Sequence, residues 1–279
     1  MMKSTELTTT EYSPLPVYRI RRNAGPDYFE DNLIEEVPVA LVYNGISHAV
    51  LMSICTNLED LAVGFSLTEG IIDSYRDIRD MDIVPGCSGY EIQIAISPRC
   101  FQRLKEKRRS MAGRTGCGIC GAEELDHVVR EQPCVGNDLT IDPATVEMAF
   151  RTLEDHQLLG QATGAAHAAA YITPAGELVA VREDAGRHIA LDKLIGYMAR
   201  HQLQGGAILV TSRASFEMVQ KTVSAGIEAL FAISAVTRMA RNLAEESNLT
   251  LAGFCRPGKM SVYAHPQRLG ADAGLQGDH

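Results

Sequence analysis

Long hydrophobic runs are absent from this sequence of 279 residues. No window approaches the roughly 18 consecutive apolar residues that a membrane-spanning helix needs, so we expect no membrane association. The N-terminal stretch "MMKSTELTTTEYSPLP" has no apolar core of the signal-peptide kind. We therefore expect a cytoplasmic protein. Tryptophan is also absent, but this excludes little because a core can be built without it.

An excess of positive charge is missing as well. The sequence has 26 Lys and Arg residues against 35 Asp and Glu residues, for a net charge of −9. Neutralisation of phosphates dominates affinity for nucleic acids, so this balance argues against a general nucleic-acid-binding protein. Local basic clusters are still compatible with a small anionic ligand.

Nucleotide-binding motifs in their required context are absent. The G-x-x-x-x-G-K-[ST] motif does not occur, and the G-x-G-x-x-G match at 116–121 spans the C-x-x-C pair and follows a predicted basic helix instead of a strand. The sequence therefore indicates no Rossmann or P-loop nucleotide site. The seven cysteines are an odd number, which argues against a complete disulfide framework. In the cytoplasm most of these thiols are expected to be reduced.

What is present is typical of a globular α/β protein, with 46% apolar residues and 22% charged residues. The order of the predicted elements divides the chain into four parts. These are an N-terminal arm (1–28), a small α+β domain (29–111), a loop and linker with a C-x-x-C motif (112–140) and a larger α/β domain (141–279).

The small domain is predicted from two hairpins and two helices. "VPVALVYNGISHAVLMSI" has two β-branched runs around Asn44-Gly45, a strong hairpin signal. Asn57 is expected to cap a helix that stops near Gly70. "MDIVPGCSGYEIQIAIS" predicts two further strands around a Pro-Gly turn, and the basic residues 98–111 favour a helix.

The larger domain shows a regular alternation of strands and helices. Asp142 and Pro143 have the residue types of a helix N-cap and first helical position. After them, strands alternate with helices of about 10 to 15 residues, which predicts a mostly parallel sheet with helices on its faces.

Polar segments follow the predicted strands of this sheet. Ligands of open α/β sheets bind beyond the carboxyl ends of the strands. Four segments occupy such positions, namely "REDAGRH" (182–188), "TSRASFE" (211–217), "SAVTR" (234–238) and "FCRPGK" (254–259). Their candidate anion-binding residues are Arg187, His188, Ser212, Arg213, Ser215, Arg256 and Lys259. Each segment alone is equally compatible with an ordinary turn, but the four together predict a phosphate-bearing ligand.

The C-x-x-C pair in "AGRTGCGICGAEEL" is compatible with several chemistries. A zinc site needs four ligands, and Cys117 and Cys120 supply only two. Cys87, Cys100 and Cys134 are the remaining candidates, but none forms a second C-x-x-C pair. A nucleoside-deaminase site also needs an H-x-E element before its P-C-x-x-C motif, and no such element precedes Cys117.

The residues on either side of the C-x-x-C pair favour a flexible loop. A thioredoxin-like redox motif would instead place the pair at the rigid start of a helix. Three glycines surround the two cysteines, and a basic run precedes them. Basic neighbours stabilise a thiolate, which is the nucleophilic form. A mobile thiolate fits a carrier that accepts sulfur as a persulfide in one place and releases it in another.

Other polar residues leave alternatives open. His167 lies in an apolar stretch, where a core histidine is more common than a catalytic one. Cys255 lies inside the 254–259 segment, so a passive role is harder to assume for it. Glu183 and Asp184 are compatible with orienting Arg187 or His188, or with binding a ligand amine.

Six segments resemble one known family. "EEVPVALVYNGISH", "GFSLTEGII", "AGRTGCGICG", "EDAGRHIALDKLIG", "TSRASFEMVQK" and "GFCRPGKMSVYAHPQRL" look like the formate dehydrogenase accessory sulfur carriers of the FdhD family. The segments occur in order from about residue 35 to residue 269, and their joint occurrence is highly specific. The resemblance is weakest in the N-terminal arm and in residues 126–160.

The resemblance implies a cytoplasmic homodimer with a smaller α+β N-terminal domain. Its C-terminal domain would have the three-layer fold of cytidine deaminases without their zinc chemistry, and no structural metal is expected. Such carriers take sulfur from a cysteine desulfurase and pass it to the molybdenum bis(molybdopterin guanine dinucleotide) cofactor. The cofactor then goes to formate dehydrogenase.

The resemblance also implies roles for particular residues. Cys117 would carry the persulfide, and Cys120 would assist the transfer or resolve it. The stretch that would contact the guanine dinucleotide consists of Phe254, Cys255, Arg256, Pro257, Gly258 and Lys259. GDP or GTP would then act as a partial mimic of the bound cofactor.

Two rival functions remain open at this point. One is a chaperone that holds the cofactor for insertion, with the C-x-x-C pair as a structural or zinc-binding feature. The other is a disulfide oxidoreductase that uses the pair as a redox centre.

Overall fold

The computed structural model describes residues 11–22, 25–112 and 133–270 of the chain. Cys117 and Cys120 lie outside these residues, and so does most of the predicted C-x-x-C loop. Among the helices described, none is both long enough and apolar enough to span a bilayer.

The first described element is a hairpin that starts within the predicted N-terminal arm. Strand β1 (Tyr12–Arg19) pairs antiparallel with β2 (Asp27–Ile34). The sequence analysis predicted neither strand. Two prolines in β1 hide the strand pattern, since proline within a run argues against a strand except at a sheet edge. Both strands of a two-stranded sheet are edges, so the prolines are tolerated.

A four-stranded sheet with two helices follows and confirms the predicted hairpins. Its elements are β3 (Val37–Tyr43), β4 (Ile46–Ser53), α1 (Leu58–Thr68), β5 (Ile78–Pro85), β6 (Tyr90–Ile96) and α2 (Pro98–Ala112), with a 3-10 turn over Tyr75–Asp77. The strand order is β4-β3-β6-β5. Asn44 and Gly45 both have positive φ in the tight β3–β4 turn. Asn57 stands at the N-cap of α1, but its side chain makes no capping hydrogen bond, which corrects the predicted role.

A six-stranded sheet forms the centre of the second half. Its elements are α3 (Pro143–His156), α4 (Leu158–Thr163), β7 (His167–Ile172), β8 (Leu178–Asp184), α5 (Arg187–Arg200), β9 (Ala207–Val210), α6 (Phe216–Ser224), β10 (Ala229–Ala232), α7 (Arg238–Glu246), β11 (Thr250–Arg256) and β12 (Lys259–Ala264), with a 3-10 turn over Pro266–Arg268. Asp142 caps α3 by accepting a hydrogen bond from Ala144 N at 2.7 Å, as predicted. The short helix α4 was not predicted.

The sheet is mixed, so the prediction of a mostly parallel sheet is wrong. Its order is β12-β11-β10-β9-β7-β8. Only the pairs β9–β10 and β10–β11 are parallel, because antiparallel hairpins form both edges. The order of strands and helices along the chain does not show which strands pair in space. It therefore did not reveal that β7–β8 and β11–β12 form antiparallel hairpins.

Both faces of this sheet are covered by helices, which gives three layers. One face packs against α5, α6 and α7, and the other packs against α3. Successive residues of the central strands alternate between the two cores: Ile208 and Leu230 face the first, Leu209 and Phe231 the second. The strand ends therefore lie between helix layers, where a cavity can open. The finer likeness to cytidine deaminases stays a prediction.

Helix α1 of the first half packs directly on α5 of the second. The two helices touch at glycines: a Cβ on Gly64 would lie 1.7 Å from Asp192 O, and one on Gly196 would lie 1.8 Å from Asp60 O. The buried carboxylate of Asp60 also accepts a hydrogen bond from Arg182 Nε at 2.8 Å and another from Arg200 Nη1 at 2.6 Å. The two halves therefore share an intimate, partly ionic interface.

Candidate functional site

The four polar segments predicted to bind an anion follow the carboxyl ends of β8, β9, β10 and β11, which lie along the same side of the six-stranded sheet. We refer to this side as the sheet edge. Strands β9, β10 and β11 run parallel, and β8 runs in the same direction because β7 is antiparallel to both β8 and β9. Backbone hydrogen bonds link the segments in pairs: Ala214 N donates to Ala235 O, and Phe254 N donates to Ser234 O, both at 3.0 Å.

A large cavity opens at one end of this edge. It has a volume of about 790 Å³, within the range of small-molecule sites. Its walls come from α3, from the β11–β12 turn and from Leu269 beyond β12. Of the predicted ligand stretch 254–259, the residues Cys255, Arg256, Pro257, Gly258 and Lys259 line it, and Phe254 does not.

The cavity has an apolar floor and a charged rim. The floor residues are Val146, Phe150, Ile233, Met260, Val262 and Leu269. Arg151, Arg256 and Lys259 bring positive charge, and Asp142, Glu147 and Glu154 bring negative charge. A flat heteroaromatic group fits such a floor, while cationic side chains at the rim suit phosphates.

Glu147 ties the β11–β12 turn to helix α3. Its Oε2 accepts a hydrogen bond from Gly258 N at 2.8 Å, and its Oε1 lies 2.7 Å from Arg151 Nη2. The hydrogen bond from Gly258 lowers the pKa of Glu147, and Arg151 adds to the effect. Gly258 has a φ of 76°, a conformation that glycine adopts without strain. Sequence reasoning missed Glu147, because a single glutamate within a helix carries no local signal.

Cys255 is a wall residue and not a reactive thiol. It is buried, and burial raises its pKa to about 12. The thiolate, which is the nucleophilic form, is therefore scarce at neutral pH.

The remaining predicted ligand residues lie elsewhere along the edge. Arg187, His188, Ser212 and Arg213 do not line the cavity. Strand β8, which precedes Arg187 and His188, is four strand spacings or about 19 Å from β11, and β9, which precedes Ser212 and Arg213, is two spacings or about 10 Å from it. The structure thus divides the predicted set into the cavity group and a second group around the start of α5, and the cavity contains only the first.

The second group surrounds Arg187 and is partly buried. His188 Nε2 lies 2.8 Å from Glu217 Oε2, and Ser212 Oγ donates to Arg213 O at 3.0 Å. Burial and the charge of Arg187 lower the pKa of both His167 and His188. Both imidazoles are therefore biased towards the neutral form at pH 7.

Three polar atoms of this region are buried without a hydrogen-bond partner among the described residues. They are Arg187 Nε, His188 Nε2 and the Oγ of Ser215 at the N-cap of α6. His188 Nε2 has Glu217 beside it; buried polar atoms are usually satisfied, so Arg187 Nε and Ser215 Oγ are available to a ligand. Arg213 is exposed and free to contribute from the rim.

Asp184 and Glu183 have structural roles, which resolves the alternatives left open by the sequence. The buried Asp184 accepts hydrogen bonds from Lys193 Nζ at 2.8 Å and from Ser53 Oγ at 2.9 Å. Glu183 accepts hydrogen bonds from the first backbone N–H groups of α4, Leu159 N at 3.0 Å and Gly160 N at 2.8 Å.

The chain that returns from the C-x-x-C loop is clamped beside the cavity. Buried Arg268 bonds through Nε to Glu228 Oε2 at 3.0 Å, and through Nη2 to Asn137 Oδ1 at 2.9 Å. Glu228 also accepts a hydrogen bond from Leu139 N at 2.9 Å. Residues 135–141 are thereby fixed, and the next residue, Asp142, already lines the cavity. Single-residue reasoning did not find this clamp.

One cluster of possible metal ligands occurs among the described residues, formed by Asp73, Asp77 and Cys100. Its carboxylates are already engaged. Asp73 pairs with Arg99 at 2.7 Å and with Arg103 at 2.8 Å. The other predicted zinc candidates do not join it: Cys134 donates to Glu246 O.

Fold and cavity together define a mixed α/β protein with a cavity of small-molecule size beyond its strand ends. A protein of the same fold is known from Desulfotalea psychrophila, described as a candidate formate dehydrogenase accessory protein. The two structures superimpose with a TM-score of 0.76 over 94% of this chain and 100% of the other, at 23% sequence identity. The FdhD/NarQ family model matches residues 34–270. The chain therefore belongs to the FdhD/NarQ family, as the sequence segments indicated.

Proposed function

We propose that this protein is a sulfur carrier in formate dehydrogenase maturation. It accepts sulfur on Cys117 from a cysteine desulfurase and transfers it to the molybdenum bis(molybdopterin guanine dinucleotide) cofactor. Family membership supports the role in maturation. The observation that carries the finer proposal is the cavity between α3 and the β11–β12 turn, since Cys255–Lys259 of the predicted ligand stretch lines it.

The cavity suits one guanine nucleotide moiety of this substrate. The apolar floor around Phe150 and Met260 accommodates a purine ring, and Arg256 and Lys259 are placed for phosphate oxygens. The carboxylates of the rim are acceptors for the N–H groups of guanine. Glu147 is held by Gly258 and Arg151, so Glu154 is the rim carboxylate for which no such contact is seen among the described residues.

The second group suits the other end of a large, multiply charged substrate. The residues of this group lie on the same sheet edge as the cavity. By strand spacing, Arg187 after β8 is about 19 Å away, and Arg213 and Ser215 after β9 are about 10 Å away. A dinucleotide cofactor with two nucleotide arms is long enough to engage both groups, which a mononucleotide is not.

The chemistry divides into two balanced steps. In the first, the Cys117 thiolate attacks the terminal sulfur of the desulfurase persulfide, so Cys117 becomes a persulfide and the desulfurase thiolate leaves. In the second, the Cys120 thiolate attacks the Cys117 sulfur, and a Cys117–Cys120 disulfide forms. The terminal sulfur leaves as hydrosulfide to the cofactor, and a cellular dithiol then reduces the disulfide.

The clamp gives the C-x-x-C segment a fixed point near the substrate. Cys120 precedes Asp142 on the cavity rim by about twenty residues, and that length of chain reaches up to roughly 70 Å when extended. Residues 135–141 hold the returning end through Arg268 and Glu228. The thiols are therefore tethered within reach of the cavity.

Mass spectrometry after incubation with a cysteine desulfurase and cysteine tests the carrier role. We expect the chain to gain the mass of about one sulfur atom, and we expect Cys117→Ala to gain none. Cys255→Ala is the matched control and should load normally, because the Cys255 thiol is buried with a raised pKa. Equal loading of Cys117→Ala would contradict the proposal. A stoichiometric zinc content with no sulfur uptake would favour a cofactor-insertion chaperone with a structural C-x-x-C pair.

A further inference from the structure

Helices α5 and α6 begin side by side at the sheet edge. The two helices pack against each other, and His188 Nε2 in the first turn of α5 lies 2.8 Å from Glu217 Oε2 in the first turn of α6. Free backbone N–H groups and the helix dipole make each helix N-terminus attractive to an anion. Two N-termini that are joined by one side-chain contact bring this attraction to the same place.

Neither of these two helix starts is capped by a side chain. Gly186 is the N-cap of α5 and has no side chain, and the side chain of Ser215, the N-cap of α6, accepts no hydrogen bond from the first turn. In contrast, Asp142 and Thr237 cap α3 and α7 through their side-chain oxygens. The first turns of α5 and α6 therefore lack the acceptor that an N-cap side chain normally supplies.

Two side-chain donors at this place have no partner. Ser215 Oγ and Arg187 Nε are both buried and make no hydrogen bond within the described part of the chain. Ser215 stands at the N-cap of α6, and Arg187 is the first residue of α5. Buried polar atoms are nearly always hydrogen-bonded, so both atoms require an acceptor that the described residues do not supply.

The guanidinium of Arg187 has no matching carboxylate among the described residues. Glu217 lies against His188 instead, and the buried Asp184 is paired with Lys193. Burial, followed by the charge of Arg187, lowers the pKa of His188, which places the guanidinium close to this imidazole. An anion beside Arg187 would therefore neutralise a charge that the described fold leaves unpaired.

We propose that the starts of α5 and α6 form a binding site for a phosphate group. The guanidinium of Arg187 and the hydroxyl of Ser215 are suitable donors to phosphate oxygens, and the two helix starts supply backbone N–H groups. The identity of the molecule that carries the phosphate, but not the site itself, rests on the proposed function. In that function, the phosphate belongs to the second nucleotide arm of the cofactor.

Calorimetry with inorganic phosphate tests the site in the full chain. Saturating GDP is added first, so that phosphate does not fill the rim of the cavity. We expect wild type to bind one phosphate per chain, and Arg187→Gln to bind it at least about tenfold more weakly, because a charge-assisted hydrogen bond is lost. Lys259→Ala, in the cavity, is the matched control and should keep the wild-type affinity for phosphate.

Two N-cap hydroxyl groups provide a second comparison, which holds whether or not Arg187→Gln folds. Ser215→Ala should weaken phosphate binding about tenfold and leave the melting temperature without phosphate unchanged, because Ser215 Oγ has no hydrogen bond to lose. Thr237→Ala should do the reverse. Thr237 Oγ1 accepts a hydrogen bond from Ala240 N at 3.3 Å, so its loss should lower the melting temperature and leave phosphate affinity unchanged.

The outcomes separate this site from the proposed function. No phosphate binding by wild type, or undiminished binding by both Arg187→Gln and Ser215→Ala, would overturn the site even if GDP occupies the cavity. Phosphate binding that depends on Arg187 in a chain without affinity for GDP would support the site and contradict the cavity assignment.

Isolated cofactor identifies the source of the phosphate. If the cofactor displaces inorganic phosphate from the site, the bound group belongs to the cofactor. If phosphate binds with unchanged affinity beside the cofactor, free phosphate is the occupant of the site.

Discussion

Lys193, Ser53 and Gly186 all donate hydrogen bonds to the carboxylate of Asp184. Because Asp184 is close to Arg187 in sequence, a ligand contact was one possible role for it. Its carboxylate oxygens instead accept hydrogen bonds from groups of the protein itself. The same holds for Glu183 at the start of α4. Residue type and neighbourhood in sequence identified a polar edge, but they did not show which of its side chains are already satisfied.

His167 and His188 predict a pH dependence of stability. Burial, followed by the charge of Arg187, lowers the pKa of both below the ordinary value of 6.5. The unfolded chain therefore takes up protons first as the pH falls. Their contribution to stability is complete above about pH 6.5 and is lost as the pH falls from there towards the lowered pKa values.

Thermal unfolding between pH 7.5 and 5 measures this effect. We expect the melting temperature of wild type to fall more steeply below pH 6.5 than that of His167→Gln/His188→Gln. His156→Gln, on the exposed surface of α3, is the matched control and should follow wild type. Parallel curves for wild type and the double variant would show that the two histidines do not titrate in this way.

Lys259 and Arg213 separate the two groups of predicted ligand residues. Lys259 lines the cavity, whereas Arg213 follows β9, two strand spacings from β11, and does not line it. In calorimetry with GDP, Lys259→Ala should weaken binding about tenfold, equivalent to about 1.4 kcal/mol. Arg213→Ala should change GDP affinity less than twofold. Equal losses in the two variants would mean that GDP does not occupy the cavity alone.

At the scale of elements, the crossing of α1 and α5 depends on two glycines. A methyl group at Gly64 would overlap the backbone of Asp192, and backbone atoms cannot move aside cheaply. Gly64→Ala should therefore lower the free energy of unfolding by about 3 kcal/mol, as overpacking of a tight contact does.

Denaturant unfolding of Gly64→Ala and Gly86→Ala provides the comparison. A Cβ at Gly86 would meet only Gly89 O at 3.4 Å, an ordinary contact, so this control should change stability by less than about 1 kcal/mol. If Gly64→Ala proved as stable as the control, the close approach of α1 and α5 would be wrong.

Local signals predicted the elements that local chemistry determines. Asn44-Gly45 gave the β3–β4 turn, and Asp142 with Pro143 gave the start of α3. The hairpin β1–β2 was missed because Pro14 and Pro16 break the strand pattern. Strand direction in the large sheet was also missed, since it depends on which neighbours pair in space and not on the sequence of any one strand.

At the scale of the whole molecule, the sequence predicted that the polar segments lie along the same edge of one sheet. It did not predict the distances between them. Residues 182–188 and 254–259 do share a sheet edge, yet four strand spacings separate β8 from β11. That width follows from the strand order, which no single segment encodes. The contacts of Glu147 with Gly258 and of Arg268 with Asn137 likewise join residues more than 100 positions apart.

In the proposed function, sulfur carried on Cys117 is delivered to a cofactor held in the cavity. The most direct test loads the chain with radiolabelled persulfide sulfur and mixes it with isolated cofactor. The label that comigrates with the cofactor is then counted. Wild type should transfer its label, and Arg256→Ala/Lys259→Ala should load fully but transfer at least tenfold less. Undiminished transfer by this cavity variant would contradict the account.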